Sequence, residues 1–442
     1  MAKDEVKSIL DQAADVLKAN DCGHYTQPAA HLYPHQWLWD SCFTAIGLAN
    51  LDIERAKMEV QSLLRGQWHN GMLPCIIFRD EAQYRTARNQ WRSWVSPYAP
   101  VDLTTSGITQ PPMLAQAVYS IGEKLERPER RQWYRLMYPA LVSHHQWLYH
   151  DRDPHDEGLV LQIHPWETGL DNSPPWMSEL HDHLMPLWIR MVEKLKLEKL
   201  VTLVRTDTKR IPVEQRSSVA ESLALFDTQL RLRRKSYDID RILDHSLFSI
   251  EDLSFNCILA RANALLEEIS RAIDKPLPPE LTKSMKKTKK ELEELWDPFS
   301  NQYYSRDFVT HRLLKTTSIA TLLPIYAGII SKERAENLAS LLDNPHLYGT
   351  AYPVPTVAPE SVWFNRQRYW QGPTWLNMNW LIIDGLKRYG LKEQAKMLRD
   401  KTIKMVEQAG FWEYFDPISG EGLGAENFSW TAALFVDLVK SK

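Results

Sequence analysis

Helical periodicity constrains this chain more than any other feature of its sequence. Apolar residues recur at three- and four-residue intervals in segments spread along the chain, among them DEVKSILDQAADVLKAN, FNCILARANALLEEISRAI, SIATLLPIYAGIISKERAENLASLLD and WLNMNWLIIDGLKRYG. Strand-like alternation is scarce, and successive helical segments are joined by short connections containing Gly, Pro and Asp. The pattern predicts an all-α protein, either an array of helices or a barrel of helix pairs.

Three related segments favour the barrel over the open array. Residues 149–160, 295–305 and 413–424 each follow a predicted helix, and each combines an aromatic residue with Asp, Pro and a turn. Such recurrence indicates that successive helix pairs end in similar hairpins on one rim. Because the spacing between the three segments drifts too much for a solenoid, we expect a closed ring of helix pairs.

Two regions interrupt the regular helices. Residues 71–108 mix Gly, Pro, Arg and aromatic residues, and a long connection of this kind is predicted to be a lid over an active site. Residues 190–245 are charge-rich and amphipathic, and we expect them to form a helical excursion outside the ring. Since no Gly/Ser-rich linker divides the chain, residues 1–442 are predicted to form a single catalytic domain with these insertions.

Charge and composition exclude several classes of function. The net charge is −3 without a long basic run, so nucleic acid is not an expected partner. The four cysteines lack metal-binding spacing, DRDPHDEG fails the spacing of a calcium loop, and no Walker or dinucleotide motif is present. We therefore predict neither a metal site nor a cofactor.

The sequence also carries no signal for a membrane. The N-terminus has no apolar signal region, and no apolar stretch approaches the roughly 20 residues of a membrane span. We expect a cytoplasmic protein that binds no membrane. The sequence leaves the oligomeric state open, with a homo-oligomer as one alternative.

Tryptophan is unusually abundant and points to a carbohydrate ligand. The chain has 17 Trp but only 12 Phe. The Trp residues cluster at 37–39, 91–94, 166–176, 363–380 and 412–430. Core packing explains many of them, but clusters flanked by Gly, Pro and polar residues suit the apolar faces of sugar rings. Asp171 and Glu421 lie in such contexts, and hydrolysis of a glycosidic bond requires a pair of carboxylates.

Each candidate carboxylate also has a structural interpretation. Asp171, between Trp166 and Trp176, suits an Asx-turn or a helix cap, but enclosure by indole rings would raise its pKa and favour proton donation. Glu421 suits an exposed turn residue or, between glycines, a general base. The acidic residues near enough to compete for that role are Glu413, Asp416 and Glu426. Asp40, at the start of an apolar helix, suits a cap or a clamp on sugar hydroxyls.

Six ordered segments of the chain resemble glycoside hydrolase family 63. They are HLYPHQWLWDSCF, GQWHNGMLP, ITQPP, HPWETGLDNSP, YWQGPTWLNMNW and GEGLGAENFSWTAA. The resemblance covers nearly the whole chain, and its nearest match is to compact bacterial members that hydrolyse mannosylglycerate or glucosylglycerate. It implies an (α/α)6 barrel of the trehalase-like group, which inverts the anomeric carbon without a cofactor.

The resemblance also implies roles for individual residues. The family's general acid is the Asp of an E-[ST]-G-x-D-[NF]-S motif, which is Asp171 here. Its general base is a Glu in a Gly-rich turn seven residues before the Phe of an F-[GS]-W-T motif, and counting back from Phe428 gives Glu421. Residues 420–424 depart from the poly-Gly version of trehalases, which argues against trehalose. The residues implied to line the sugar subsite are Tyr33, Trp37, Trp39, Asp40, Gln110, Trp166, Tyr369, Trp370, Gly372 and Trp375.

A glycerate leaving group carries a carboxylate, for which the site should supply an arginine or a nest of backbone N–H groups. Arg205 interrupts an apolar run and is the candidate, with a surface salt bridge as the alternative. Tyr84, Arg85 and Arg88 in the predicted lid are further candidates. The sequence thus predicts an inverting hydrolase of 2-O-α-glucosyl- or 2-O-α-mannosyl-D-glycerate. The alternatives are an α-glucosidase acting on a di- or oligosaccharide and a sugar-binding protein without catalysis.

Overall fold

The computed structural model describes residues 3–79, 85–179, 186–194, 211–244, 246 and 248–441. Its helices in the first half are α1 (Lys3–Ala19), α2 (Leu38–Leu48), α3 (Ile53–Leu64), α4 (Arg85–Trp91), α5 (Leu114–Glu123), α6 (Arg127–Asp151), α7 (Pro174–Glu179) and α8 (Leu187–Lys194). Those in the second half are α9 (Val219–Arg234), α10 (Ile239–Leu243), α11 (Leu253–Ala272), α12 (Pro279–Glu291), α13 (Leu323–Ala327), α14 (Lys332–Ser340), α15 (Leu376–Arg388), α16 (Lys392–Ala409) and α17 (Ser429–Lys440).

Six of these helices form a closed inner ring. Helix α2 packs against α5, α5 against α11, α11 against α13, α13 against α15, α15 against α17, and α17 returns to α2. Every residue of Leu38–Leu48 is buried, and so are 10 of the 13 residues of α15 and 9 of the 12 residues of α17. A helix that packs against two ring neighbours and an outer helix must be apolar around most of its circumference, which explains the composition of these segments.

Six further helices surround the ring, and each packs on an inner helix that neighbours it in the sequence or closes the ring. Helix α3 packs on α2, α6 on α5, α12 on α11, α14 on α13, α16 on α15, and α1 on α17. These outer helices are amphipathic, as in α3, which buries Ala56, Val60 and Leu63 while Glu54 and Gln61 are exposed to solvent. Inner and outer helices alternate along the chain, so the architecture is an (α/α)6 barrel, as predicted.

Short antiparallel strand pairs lie in the connections between the described helices. They are β1 (Gln36–Trp37) with β2 (Ile76–Ile77), β3 (Ile250–Glu251) with β6 (Arg306–Asp307), β4 (Trp296–Asp297) with β5 (Gln302–Tyr303), and β7 (Trp412–Phe415) with β8 (Gly422–Glu426). Two of the three related sequence segments fall in these hairpins, 295–305 in β4–β5 and 413–424 in β7–β8.

The two predicted insertions are partly described. Residues 71–108 include β2, α4 and a short 3-10 helix, Ser93–Val95. In the 190–245 region, α9 packs against α8 and α4. Tyr84 and Arg205, which were predicted to approach an anionic group, lie outside the described residues. Among the helices that the structure describes, none has the length and apolar character needed to cross a membrane.

Candidate active site

Three carboxylates from distant parts of the chain come together at one end of the barrel. Asp40 lies in the first turn of α2, Asp171 in the loop before α7, and Glu413 in β7. The negative charge on Glu413 raises the pKa of both other carboxyls, although burial is the larger cause in each case. Carboxyls that influence one another in this way share one site, and its neighbouring groups decide which of them carries a proton.

The loop carrying Asp171 is held at both ends. A 3-10 helix, Pro165–Thr168, begins at His164, whose side chain accepts a hydrogen bond from the Trp166 N–H, and it ends at Gly169 with φ +74°. A Cβ atom on Gly169 would lie 2.6 Å from the ring of Trp39, so only glycine fits there. After Asp171, the Asn172 side chain accepts a hydrogen bond of 2.9 Å from the backbone N–H of Trp370.

The environment of Asp171 favours the protonated carboxyl. The side chain is half-buried, and loss of water raises its pKa to about 7. The Arg216 guanidinium and a hydrogen bond with Tyr369 oppose that rise, and the charge on Glu413 adds to it. A carboxyl with a pKa near 7 holds a proton for part of the time at neutral pH, which is what a general acid requires.

Glu413 is surrounded by hydrogen-bond donors. Its side chain is buried, the Tyr33 hydroxyl donates to Oε1 at 2.9 Å, and the Ala425 N–H donates to Oε2 at 3.1 Å. Arg216 Nη1 lies 3.3 Å from Oε1 and 3.4 Å from Oε2. Burial raises the pKa of Glu413, while Arg216 and these hydrogen bonds oppose the rise. Donors on both oxygens suit a carboxylate that is ionised when it accepts a proton.

A β-bulge creates the place that Glu413 occupies. The pairing of β7 with β8 slips by one residue between Trp412 and Tyr414, so that Glu413 lies opposite both Gly424 and Ala425. Gly424 has φ +75°, and a Cβ atom there would lie 2.6 Å from Glu413 Oε2. Glycine at position 424 therefore adopts the left-handed backbone conformation that the bulge requires, and its lack of a side chain leaves room for the carboxylate.

Glu421, which the sequence predicted as the general base, lies outside this group of carboxylates. It is exposed in the turn between β7 and β8, where its carbonyl accepts a hydrogen bond of 2.9 Å from the Asp416 N–H. The glycines around Glu421 favoured it as the general base, but in the structure they form the turn and the bulge of the hairpin. The structure instead places Glu413 beside Asp171. The overlooked signal is a single acidic residue in the aromatic run FWEYF, residues 411–415.

Sequence reasoning also missed Arg216. It follows a 3-10 helix, Val213–Gln215, and is buried between the aromatic residues of the site. Its Nη2 donates to the Tyr33 hydroxyl at 2.6 Å, and its guanidinium lies 4.3 Å from the centre of the Tyr369 ring. The surrounding sequence PVEQRSS is polar and without periodicity, so nothing in it marks this arginine as buried.

Four of the aromatic residues predicted to bind sugar are half-buried. They are Tyr33, Trp37, Trp166 and Tyr369. Trp37 packs edge-on against Tyr33 with ring centres 5.8 Å apart, and its buried Nε1 has no hydrogen-bond partner among the described residues. A partly exposed ring with an unused donor is suited to contact with a sugar.

The other predicted sugar-binding residues are almost fully buried. Trp370 and Trp375 are each 1% exposed and stack on one another with ring centres 3.7 Å apart. Trp39 lies against Trp370, and its backbone N–H donates to the side chain of Gln110. Gly372, also buried, donates its N–H to Thr356. In the described structure these residues form a wall behind the half-buried rings rather than an exposed sugar platform.

In the described part of the chain, no group of three or more His, Cys, Asp or Glu side chains is arranged to hold a metal ion.

Arg88, a predicted lid residue, lies half-buried in α4. Arg85 begins the same helix.

Comparison with known proteins assigns the chain to a family. The family model described as "Mannosylglycerate hydrolase MGH1-like glycoside hydrolase domain" matches residues 33–431, which include all three carboxylates. A mannosylglycerate hydrolase of Thermus thermophilus is 37% identical, with 96% of this chain and 98% of that protein covered. The glucosylglycerate hydrolase of Mycolicibacterium hassiacum is 32% identical, with 96% of each chain covered.

A solved structure agrees with this assignment. The crystal structure of a GH63 mannosylglycerate hydrolase from Thermus thermophilus, in complex with Tris and D-glycerate, matches with a TM-score of 0.88. Its sequence is 36% identical, and the match covers 98% of this chain and 100% of that one. The chain therefore belongs to the mannosylglycerate hydrolase-like members of glycoside hydrolase family 63, and it is a glycoside hydrolase.

Proposed function

We propose that this enzyme hydrolyses 2-O-α-mannosyl- or 2-O-α-glucosyl-D-glycerate to the free hexose and glycerate. The observation that carries the proposal is the meeting of Asp171, with a pKa of about 7, and Glu413, with donors on both oxygens, in one aromatic-walled site. Relatives that cover almost the whole chain are a mannosylglycerate hydrolase and a glucosylglycerate hydrolase, which supports the substrate class.

In the proposed reaction Asp171 is the general acid. It donates its proton to the glycosidic oxygen as the bond between that oxygen and the anomeric carbon breaks, so that glycerate leaves with a neutral hydroxyl. The half-buried position of Asp171 suits this role, because loss of water is the main cause that keeps its pKa near 7. A carboxyl with the ordinary pKa of Asp would be ionised at neutral pH and would have no proton to give.

Glu413 is the proposed general base. It takes a proton from a water molecule whose oxygen forms the new bond to the anomeric carbon on the face opposite the leaving group. The product is then the β-anomer of the hexose. Enzymes of this kind hold their two carboxyl groups roughly 6.5–9.5 Å apart, which leaves room for the water, and we expect that separation between Asp171 and Glu413.

Arg216 and Asp40 complete the proposed site. Arg216 contacts both oxygens of Glu413 and opposes the effect of burial on the pKa of that carboxyl, so it favours the ionised base. Asp40 is buried beside the other two carboxyls and is the proposed clamp on a sugar hydroxyl. The role of Arg205 toward the glycerate carboxylate stays a prediction.

The first test is hydrolysis of a small panel, with the anomer of the fresh product observed by NMR. The panel is mannosylglycerate, glucosylglycerate, trehalose, kojibiose and nigerose. We expect β-hexose from one or both glycerate glycosides. Faster hydrolysis of a disaccharide would indicate an α-glucosidase. Binding of the panel without any hydrolysis would contradict the assigned chemistry, and initial release of α-hexose would contradict the inverting mechanism.

A further inference from the structure

A buried ion pair lies behind the loop that carries Asp171. Glu167 is 0% exposed and Arg152 is 4% exposed, and Arg152 Nη2 lies 2.8 Å from Glu167 Oε1. Replacement of a buried ion pair by apolar residues is often neutral or even stabilising, so net stability alone is a weak reason for such a pair. Since neither side chain is exposed to the site, contact with the substrate is not its role either.

Glu167 connects three segments of the barrel end through its two oxygens. Oε1 accepts the Thr109 N–H at 3.2 Å in addition to Arg152, and Oε2 accepts the Ile163 N–H at 2.8 Å. Arg152 follows the last residue of α6, so the pair also fixes the loop to the end of a 25-residue helix. The Arg152 guanidinium in turn lies 5.1 Å from the centre of the Trp147 ring, which restricts its own position.

The connected segments carry residues of the proposed sugar site. Thr109 immediately precedes Gln110, whose side chain accepts the backbone N–H of Trp39 at 3.3 Å. Trp39 packs against Gly169, midway between Glu167 and Asp171 in the sequence. The carboxylate of Glu167 is therefore the point at which the loop of the general acid and the wall formed by Gln110 and Trp39 are held to each other.

We propose that Glu167 is a positioning residue that sets the general acid Asp171 against the glycosidic oxygen, with Arg152 as its counter-charge. The proposal rests on the proposed function, in which Asp171 donates the proton. It requires that the loss of Glu167 affect proton donation more than any other part of the reaction. A small misplacement of a catalytic group lowers the rate by up to about 100-fold, even when the protein remains folded.

A second buried ion pair of the same chemistry provides the control. Glu251 in β3 is 1% exposed and Arg306 in β6 is 6% exposed, and Arg306 Nη2 lies 2.9 Å from Glu251 Oε1. This pair joins two strands and has no hydrogen bond to the Asp171 loop among those the structure describes. Glu167→Gln and Glu251→Gln therefore remove the same charge from two buried ion pairs, of which only the first lies in the loop that carries Asp171.

The experiment compares these two variants on two substrates. One is the glycerate glycoside, whose leaving oxygen needs a proton, and the other is the corresponding α-hexosyl fluoride, whose fluoride leaves without one. For Glu167→Gln we expect kcat on the glycoside to fall about 10- to 100-fold and kcat on the fluoride to fall less than about 3-fold. For Glu251→Gln we expect kcat to stay within about 2-fold of the parent enzyme on both substrates. Thermal unfolding of both variants shows the effect on stability.

Each outcome decides the question. A fall of kcat on both substrates alike, or no greater fall for Glu167→Gln than for Glu251→Gln, would overturn the positioning role while leaving Asp171 as the proposed acid. The same comparison with Asp171→Asn tests the proposed function itself, because that variant must also be selective for the glycoside. If Glu167→Gln does not fold, Arg152→Lys, with Arg306→Lys as its control, replaces it in the same comparison.

Discussion

The two sides of the site, the loop 164–173 and the hairpin β7–β8, position a carboxyl by different means. In the loop, side chains hold the backbone: His164 caps the 3-10 helix, Glu167 binds three donors, and Asn172 accepts the Trp370 N–H. In the hairpin, the pairing of the two strands positions the carboxyl, because the bulge at Gly424 leaves room for the Glu413 side chain. A loop held by side chains leaves a motif in the sequence, whereas a strand register does not.

The two sides also give their carboxyls different surroundings. Asp171 is half-buried, and burial is the main cause of its pKa of about 7. Glu413 is buried more deeply, but it accepts hydrogen bonds from Tyr33 and Ala425 and lies against Arg216. Similar acids thus receive opposite proposed roles from their neighbours.

The largest effect should come from the hairpin. Glu413→Gln removes the group proposed to activate water, so kcat should fall about 10²- to 10⁴-fold on both the glycerate glycoside and the α-hexosyl fluoride. Glu421→Gln is the matched control on the same hairpin, and because Glu421 is exposed we expect a rate within about 2-fold of the parent enzyme. Loss of activity in Glu421→Gln with activity retained in Glu413→Gln would instead assign the general base to Glu421.

Asp171→Asn should have a large effect on only one substrate. The glycerate glycoside needs a proton on its leaving oxygen, so kcat should fall about 10²- to 10⁴-fold. The fluoride needs none, and its hydrolysis should fall by less than about 10-fold. Steady-state rates on the two substrates measure the difference. Equal losses on both would show that Asp171 does not act as a proton donor.

Arg216→Gln should move the pH profile and lower its maximum only moderately. The Arg216 cation lowers the pKa of both Asp171 and Glu413, so its removal should raise both. Activity needs Glu413 ionised and Asp171 protonated, so the acidic and the alkaline limbs of kcat/KM should both shift to higher pH. We expect the maximum to fall about 10-fold, because Arg216 also holds Tyr33. Unchanged limbs would contradict the electrostatic role of Arg216.

The smallest effect on rate should come from the bulge. Gly424→Ala places a methyl group 2.6 Å from Glu413 Oε2 and puts alanine at φ +75°, so kcat should fall about 3- to 10-fold, with a stability loss of about 1–2 kcal/mol. Gly390 also has φ +75°, but no atom of the described residues lies within 4 Å of its Cβ position. Gly390→Ala should therefore lose less stability than Gly424→Ala, measured by denaturant unfolding, and keep its rate. An unaffected rate in Gly424→Ala would show that the bulge does not position Glu413.

The sequence predicted the helices of the barrel well because the apolar residues of both inner and outer helices recur at helical spacing. The long segments that became α1, α11 and α15 were recognised from that pattern alone. One segment with this periodicity, residues 318–343, forms a 3-10 helix followed by α13 and α14 rather than a single helix. Gly328, with φ +72°, ends α13, and the Ser331 side chain caps α14, and neither feature changes the apolar periodicity.

The site was harder to predict because it depends on contacts between distant residues. The motif around Asp171 identified a loop residue whose role as general acid stays a prediction. The count back from Phe428 identified Glu421, which lies in an exposed turn, and it missed Glu413. Trp370 and Trp375 were expected to line the sugar subsite, but they stack on each other out of reach of solvent. Which side of a ring is covered depends on tertiary packing, and composition does not contain that information.

Closure of the inner ring has a consequence for how the enzyme is made. Helix α2 near the start of the chain packs against α17 at its end, and β7 with Glu413 lies just before α17. During synthesis from the N-terminus, Asp40 and Asp171 therefore emerge long before Glu413, and the ring stays open until α17 has been added. A nascent or C-terminally truncated chain should consequently be inert toward glycosides and should expose the apolar side of α2, which makes such chains targets for chaperones or proteases.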